Sequence, residues 1–306
     1  MYKRFFGFKK KPFEITPDPS YVYLSEVHRE GLSYLEYAIR ERKGFSVITG
    51  EAGTGKTTLA HKLLSNLDGN VRTCYIFNPM IEKADFLNYI CSDLGIPTEY
   101  LKTRGQSLTA LHNFLLNCFT KNEKVFLIVD EAQSLAPDLL HEVRMLTNLE
   151  TAKYKLIHVI LLGQPEFDDI LAKPEFFPLK QRITVRYHLH PLPYKETKEY
   201  ILYRLKRAGA RNLAIFNESA IKEIYNYSKG IPRLINIVCD NALLTGFATE
   251  QGRINKEIIR NVIGDLESGA RSHHQRKKQY HLPVIILSAF VIVVVVIAIF
   301  FLYILN

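Results

Sequence analysis

The sequence predicts an α/β fold, a mostly parallel sheet covered on both faces and followed by a purely helical region. Three observations predict it. Short apolar runs alternate with helical patterns between residues 45 and 191, the pattern of strands joined by helical crossovers. One of these runs leads straight into a glycine-rich string, GEAGTGKTT at 50–58. Beyond Pro191 the strand-like runs stop and only helical spacing continues.

The elements follow in order. Residues 45–49 read as a buried strand, and 56–67 as a helix with Leu59, Leu63, Leu64 and Leu67 on one face. Residues 71–77 make a second strand, and 82–94 and 107–119 two helices. The run VFLIVD at 125–130 is a continuous apolar strand ending in acid. Pro137 opens a helix to about residue 148, and 156–163 and 184–189 give two more strands. The helical region holds 195–208, 217–228, 232–248 and 255–266, before a polar, basic linker at 268–281.

The net charge of +9 sits at the ends. Residues 1–11 contribute Lys3, Arg4, Lys9, Lys10 and Lys11 without an acid, and residues 269–306 contribute Arg271, Arg276, Lys277 and Lys278 without one. The span 12–268 balances 31 basic against 31 acidic residues. A nucleic-acid-binding domain spreads its excess over a folded face, so this distribution argues against one and points to anionic lipid headgroups. From 282 to 305 the chain runs 24 residues without a charge. As a helix that is about 36 Å, against about 30 Å of hydrocarbon. The cations just before it predict a C-terminal anchor with residues 1–281 in the cytoplasm. Cys74, Cys91, Cys118 and Cys239 lack CxxC or Cys/His spacing, which argues against disulfides and zinc. The basic, aromatic N-terminus has no signal-peptide pattern.

Two motifs carry chemistry. The string 50–58 matches GxxxxGK[ST] between a strand and a helix. Gly50, Glu51, Ala52, Gly53, Thr54 and Gly55 are expected to wrap phosphate oxygens with backbone N–H groups, helped by the following helix N-terminus. Lys56 is expected on the β- and γ-phosphates, Thr57 on magnesium, and Thr58 in the first turn behind them. The strand end VFLIVDEAQ supplies Asp130 for the magnesium and Glu131 as the base for the attacking water. The cofactors expected are ATP and Mg2+.

With both motifs placed, the chain resembles P-loop AAA+ ATPases, and among them the general secretion pathway protein A family of secretion, pilus and exopolysaccharide-export ATPases. The resemblance rests on FFGFKKKPF (5–13), TPDPSYVYLSEVHREGLSYLEYAI (16–39), GEAGTGKTT, VDEAQ, LLGQPEF (161–167), LKQRI (179–183) and GIPRLIN (230–236). It covers about residues 1–266 and implies a three-layer sandwich at 12–191 behind a basic aromatic segment (1–11) and a helical lid at 192–267, to which the composition adds the linker and a transmembrane helix at 282–305. It places Gln164 at the sensor-1 position, where the class favours Asn, Thr or Ser. Arg182 falls at the arginine-finger position, with Arg186 a weaker competitor, and Arg233 at sensor 2. The adenine is expected between the N-terminal segment and the lid, with Phe13 and Ile231 as its contacts, while most of the aromatics at 2–23 are expected to pack on the ATPase core. The implied function is a membrane-anchored ATPase of the inner (cytoplasmic) membrane, homo-oligomeric and coupled to secretion or export machinery. Members that reach peptidoglycan carry a cell-wall-binding domain after the span, and none is expected here. The alternatives are a DNA-directed ATPase, which needs a basic folded face, and a nucleotide-bound scaffold, which has less need of Glu131.

Overall fold

A computed structural model describes residues 1–15, 21–67, 70–77 and 79–279, with side chains described to residue 268. Its sheet is parallel throughout, in the order β2-β3-β4-β1-β5: Phe45–Thr49 (β1), Val71–Ile76 (β2), Lys124–Val129 (β3), Ile157–Gly163 (β4) and Val185–His188 (β5). The apolar runs lie where the spacing predicts them, because β1, β3 and β4 are central strands buried on both faces. In register, Thr49 ends β1 opposite Gly163 on one side and His188 on the other. The motif-bearing ends of β1, β3 and β4 thus share one sheet edge, where open α/β sheets bind ligands.

The early helices run in order as Tyr2–Phe5 (α1), Glu26–Arg40 (α2), Lys56–Asn66 (α3), Lys83–Asp93 (α4), Arg104–Thr120 (α5) and Pro137–Leu146 (α6). The short Glu166–Ala172 (α7) and Phe177–Lys180 (α8) follow β4. Tyr194–Arg207 (α9), Glu218–Ser228 (α10), Pro232–Ala248 (α11) and Lys256–Gln279 (α12) make the lid. Helix α5 begins three residues before the apolar periodicity does. The cause is a capping box, in which Thr103 accepts from Gln106 N and the Gln106 side chain accepts from Thr103 N. Helix α2 was not expected from the apolar pattern. Ser25 caps it, and Gly31 lets it lie on β5, since a Cβ there would stand 2.8 Å from the Tyr187 ring.

Three cores result. One fills the α4–α5–α6–α7–α8 side of the sheet and a second the α2–α3 side. The third belongs to the lid and takes in Tyr2, Phe8, Phe13 and Tyr21. The N-terminal aromatics therefore build the lid. Phe13 is fully buried there, edge-on to Phe216 at 5.9 Å. It is core, and the adenine contact expected of it is corrected.

Helix α12 continues to Gln279, so most of the stretch expected as a linker has helical backbone; no proline interrupts it before Pro283. The apolar run 282–305 and the string at 16–20 lie outside the described residues. Among the described residues no helix is long and apolar enough to cross a membrane.

Candidate functional site

The loop 50–55 turns sharply between β1 and α3. Gly53 and Gly55 take positive φ values of 83° and 104°, conformations in which successive N–H groups face inward. Lys56 is buried, and its Nζ donates to the carbonyls of Gly50 (2.8 Å) and Glu51 (3.1 Å). It has no carboxylate in direct contact among the described residues. Burial pulls its pKa down, and the charges of Glu131, Asp130 and Glu51 work in the opposite direction. The loop is braced by Thr54, whose hydroxyl donates to the Glu51 carbonyl at 2.8 Å.

Asp130 and Glu131 follow β3. Asp130 Oδ2 accepts from Thr57 Oγ1 at 2.6 Å and from the Tyr75 hydroxyl at 3.2 Å. A hydroxyl and a carboxylate oxygen this close are hard donors on one point. That suits magnesium, which binds oxygen and keeps several of its waters. Glu131 sits in left-handed backbone, φ 52°. Its carboxylate accepts from Gln164 Nε2 at 3.0 Å and from Gln133 Nε2, while Gln133 Oε1 accepts from Gln164 N at 3.0 Å. Burial would raise the Glu131 pKa. The two amide donors and the Lys56 charge outweigh it and hold the group below the usual carboxylate range.

The lid closes the other side. A cleft of about 1010 Å3 lies between the loop, the segment before α2 and the first turn of α11. Gly53, Thr54, Gly55, Lys56, Thr57 and Thr58 line it, as do Glu131 and Arg233. Arg233 is exposed there without an ion pair among the described residues, and its N–H donates to Gly53 O at 3.3 Å. A Cβ on Gly53 would stand 2.5 Å from that of Arg233, so the glycine permits the close approach of lid to loop. Gly50, Glu51 and Ala52 do not line it; Gly50 is buried, and Glu51 and Ala52 are exposed. Ile231 touches the Gly53 side of the loop and does not line the cleft; Ile15, Tyr23 and Pro232 do.

Arg182 is not brought into this cleft. Its guanidinium is held at the end of α6 by Thr147 Oγ1 (2.6 Å), Arg144 O (3.4 Å) and Asn148, all neutral acceptors. Arg186 differs, being paired with Asp168 at 2.6 Å.

Four residues of the site escaped the sequence reading. His28 is buried, bonded to Ser25 Oγ at 2.7 Å and to Thr54 O at 3.1 Å; a Cβ on Gly55 would stand 2.8 Å from its Nε2. Burial lowers its pKa, against the backbone bond. Tyr75 bonds Asp130 and stacks on His61 at 5.3 Å; burial and the Asp130 charge raise its phenol. Gln133 stands inside the string VDEAQ, where its spacing from Glu131 was the available signal. Arg204 lines the cleft from α9 and has no local signature.

The family model for the AAA domain matches residues 39–171. General secretion pathway protein A of Aeromonas hydrophila is 42% identical over 256 residues, which are 83% of this chain and 46% of that protein. The chain thus spans less than half the length of that relative. The Aeropyrum pernix ORC2 protein, in its ADPNP–ADP complexes, superposes with a TM-score of 0.63 at 18% identity, covering 84% of this chain and 72% of that one. Cdc6p from Pyrobaculum aerophilum does so with a TM-score of 0.63 at 18% identity, covering 82% and 71%. At these identities the two structures show the fold.

Proposed function

We propose that this chain is an AAA+ ATP hydrolase, similar to general secretion pathway protein A, and that it is anchored in a bacterial inner membrane. There its cytoplasmic ATPase drives or regulates assembly of a secretion, pilus or polysaccharide-export system. The identity to general secretion pathway protein A over 83% of the chain carries this reading. The uncharged run 282–305 supports the anchor.

The site residues divide the work. The loop amides and Lys56 bind and orient the phosphates. Magnesium, held by Thr57 and Asp130, supplies charge neutralisation at the phosphates when bound. Glu131 takes the proton of the attacking water, and Gln133 and Gln164 aim its carboxylate. Arg233 brings a cation from the lid, so closure and phosphate binding are coupled. Arg182, hydrogen-bonded at the end of α6 to neutral oxygens, serves a neighbouring copy, where an arginine stabilises charge on the transferring phosphoryl group.

The test is hydrolysis as a function of protein concentration. Native protein should gain specific activity as copies associate. An Arg182→Ala variant that binds ATP should stay at the dilute rate at every concentration. Normal turnover by that variant would exclude the shared site.

A further inference from the structure

Residues 1–11 carry five cations and no acid, and the structure shows where they go. The segment folds on itself, Phe8 N donating to Lys3 O at 2.7 Å, and buries Tyr2 and Phe8 in the lid core. Lys9 and Lys10 then donate their N–H groups to the carbonyl of Ala208, at 2.8 and 3.3 Å. Ala208 closes α9, which ends in an acid-free stretch of its own: residues 203–214 hold Arg204, Lys206, Arg207 and Arg211. Arg204 is buried, whereas Lys206, Arg207 and Arg211 are exposed, as are Lys3, Arg4, Lys9, Lys10 and Lys11. Two stretches far apart in sequence are thereby joined into one basic face. Asp240 accepts from Tyr2, and Glu14 lies 4.0 Å from Lys11, whose charge it partly offsets. Phe5 and Leu213, 42% and 39% exposed, add apolar side chains to the same stretches.

We propose that this face of the lid lies on an anionic phospholipid bilayer. The inference rests on the membrane-anchored reading and adds which part of the molecule meets the headgroups. Clustered cations on one surface are what such a bilayer attracts, with aromatic or aliphatic side chains among them at the headgroup level. The path of the chain selects the bilayer over other polyanions. Helix α12 packs on α10 and α11 within the lid and runs to Gln279, and the uncharged run begins at residue 282. The chain leaves for the expected membrane from the same body that carries the basic face. With the lid held on the bilayer, ATP-linked closure moves the α/β core relative to the membrane.

The test uses the full chain in phosphatidylglycerol-containing vesicles and in pure phosphatidylcholine vesicles. It compares native protein with a Lys9→Glu, Lys10→Glu, Lys206→Glu, Arg207→Glu variant. Retention after an alkaline wash reads the anchor by itself. Amide exchange of residues 1–11 and 204–214 reads the face. On anionic vesicles native exchange in both segments should slow about tenfold, return to the neutral-vesicle rate in high salt, and not slow in the variant. Equal exchange on the two vesicle types, or slowing that survives charge reversal, overturns the proposal. So does slowing on neutral vesicles when duplex DNA is added, which makes a nucleic acid the occupant. If the anchor is absent, retention is lost, and salt-sensitive flotation of native protein but not variant on anionic vesicles still supports the face.

Discussion

The two walls of the cleft are built by different means. On the sheet side, the candidate groups stand at the ends of β3 and β4 and in the first turn of α3, and backbone geometry sets them within bonding distance: Thr57 to Asp130 at 2.6 Å, Gln164 to Glu131 at 3.0 Å. On the lid side, order comes from side chains that reach across the chain. Arg204 bonds the carbonyls of Pro12 and Glu14, Tyr203 bonds Val22 O at 2.9 Å, and Glu196 accepts from Glu26 N at 2.6 Å. The sheet wall is a rigid chemical pole. The lid wall is a clasp that makes one body of the N-terminal segment and α9. Damage to the first should remove chemistry and spare the fold, and damage to the second should do the reverse.

The largest effect belongs to the chemical pole. Lys56→Ala should abolish ATP binding measured by a fluorescent analogue. Glu131→Gln should keep that binding and lose about 10^3-fold in turnover, in line with removal of a positioned base. Both should unfold at the native temperature; a clear fall would show that the pole also holds the fold. Next comes the joint between the walls. Gly230 has φ 80°, and a Cβ there would stand 1.9 Å from Leu192 O. Gly230→Ala should cost about 3 kcal/mol in denaturant unfolding, because both backbone conformation and space forbid the methyl group. Unchanged stability would mean that the lid joint tolerates a different backbone path.

The same contrast governs what could be read in the sequence. The chemical pole was legible because its residues stand in two contiguous strings whose spacing is dictated by phosphate and magnesium. The strands were legible because β1, β3 and β4 are buried on both faces and so are uniformly apolar. Gln133 and Tyr75 were harder: each acts through Glu131 or Asp130, and nothing in a string says which neighbour an amide or a phenol will meet. The lid wall was opaque. Arg204 looks like any cation on an amphipathic helix until the fold brings Pro12 against it. Phe13 looks available for a base until Phe216 is found beside it. The charge accounting saw cations at the N-terminal end without the exposed cations of α9 that join them.

An acid challenge tests the sheet side further. His158 lies buried in β4, stacked on Phe126 at 5.1 Å, and burial, with Arg42 and Lys124 adding to it, pulls its pKa from 6.5 to about 4. The folded state therefore binds fewer protons than the unfolded one. Its stability contribution is fully present above pH 6.5 and is lost as pH falls from there toward 4. A depression of this size corresponds to about 3 kcal/mol. Unfolding by denaturant at pH 7.5 and at pH 4.5 should differ less in His158→Phe, which keeps the stack without the titration, than in native protein. An identical pH dependence in the two would place the acid sensitivity elsewhere.

The smallest effect falls on the clasp. Arg204 Nε donates to Pro12 O at 2.5 Å, its NH2 group to Glu14 O at 3.1 Å and its NH1 group to the Tyr200 hydroxyl at 3.1 Å; its plane lies 4.8 Å from the Tyr21 ring. Arg204→Met keeps the apolar stem over that ring and leaves the buried carbonyl of Pro12 and the partly buried one of Glu14 without this donor. The expected loss is about 2 kcal/mol, and it should be local, because α9 keeps Ile201 and Leu205 in the lid core. Amide exchange in residues 1–15 should accelerate while exchange in β1 and β3 stays at the native rate. ATP affinity should fall only a few-fold, since Lys56 and the loop amides do not touch the clasp. If residues 1–15 keep their native protection, Arg204 is not what joins them to the lid, and the packing of Tyr2, Phe8 and Phe13 is sufficient to hold the two as one body.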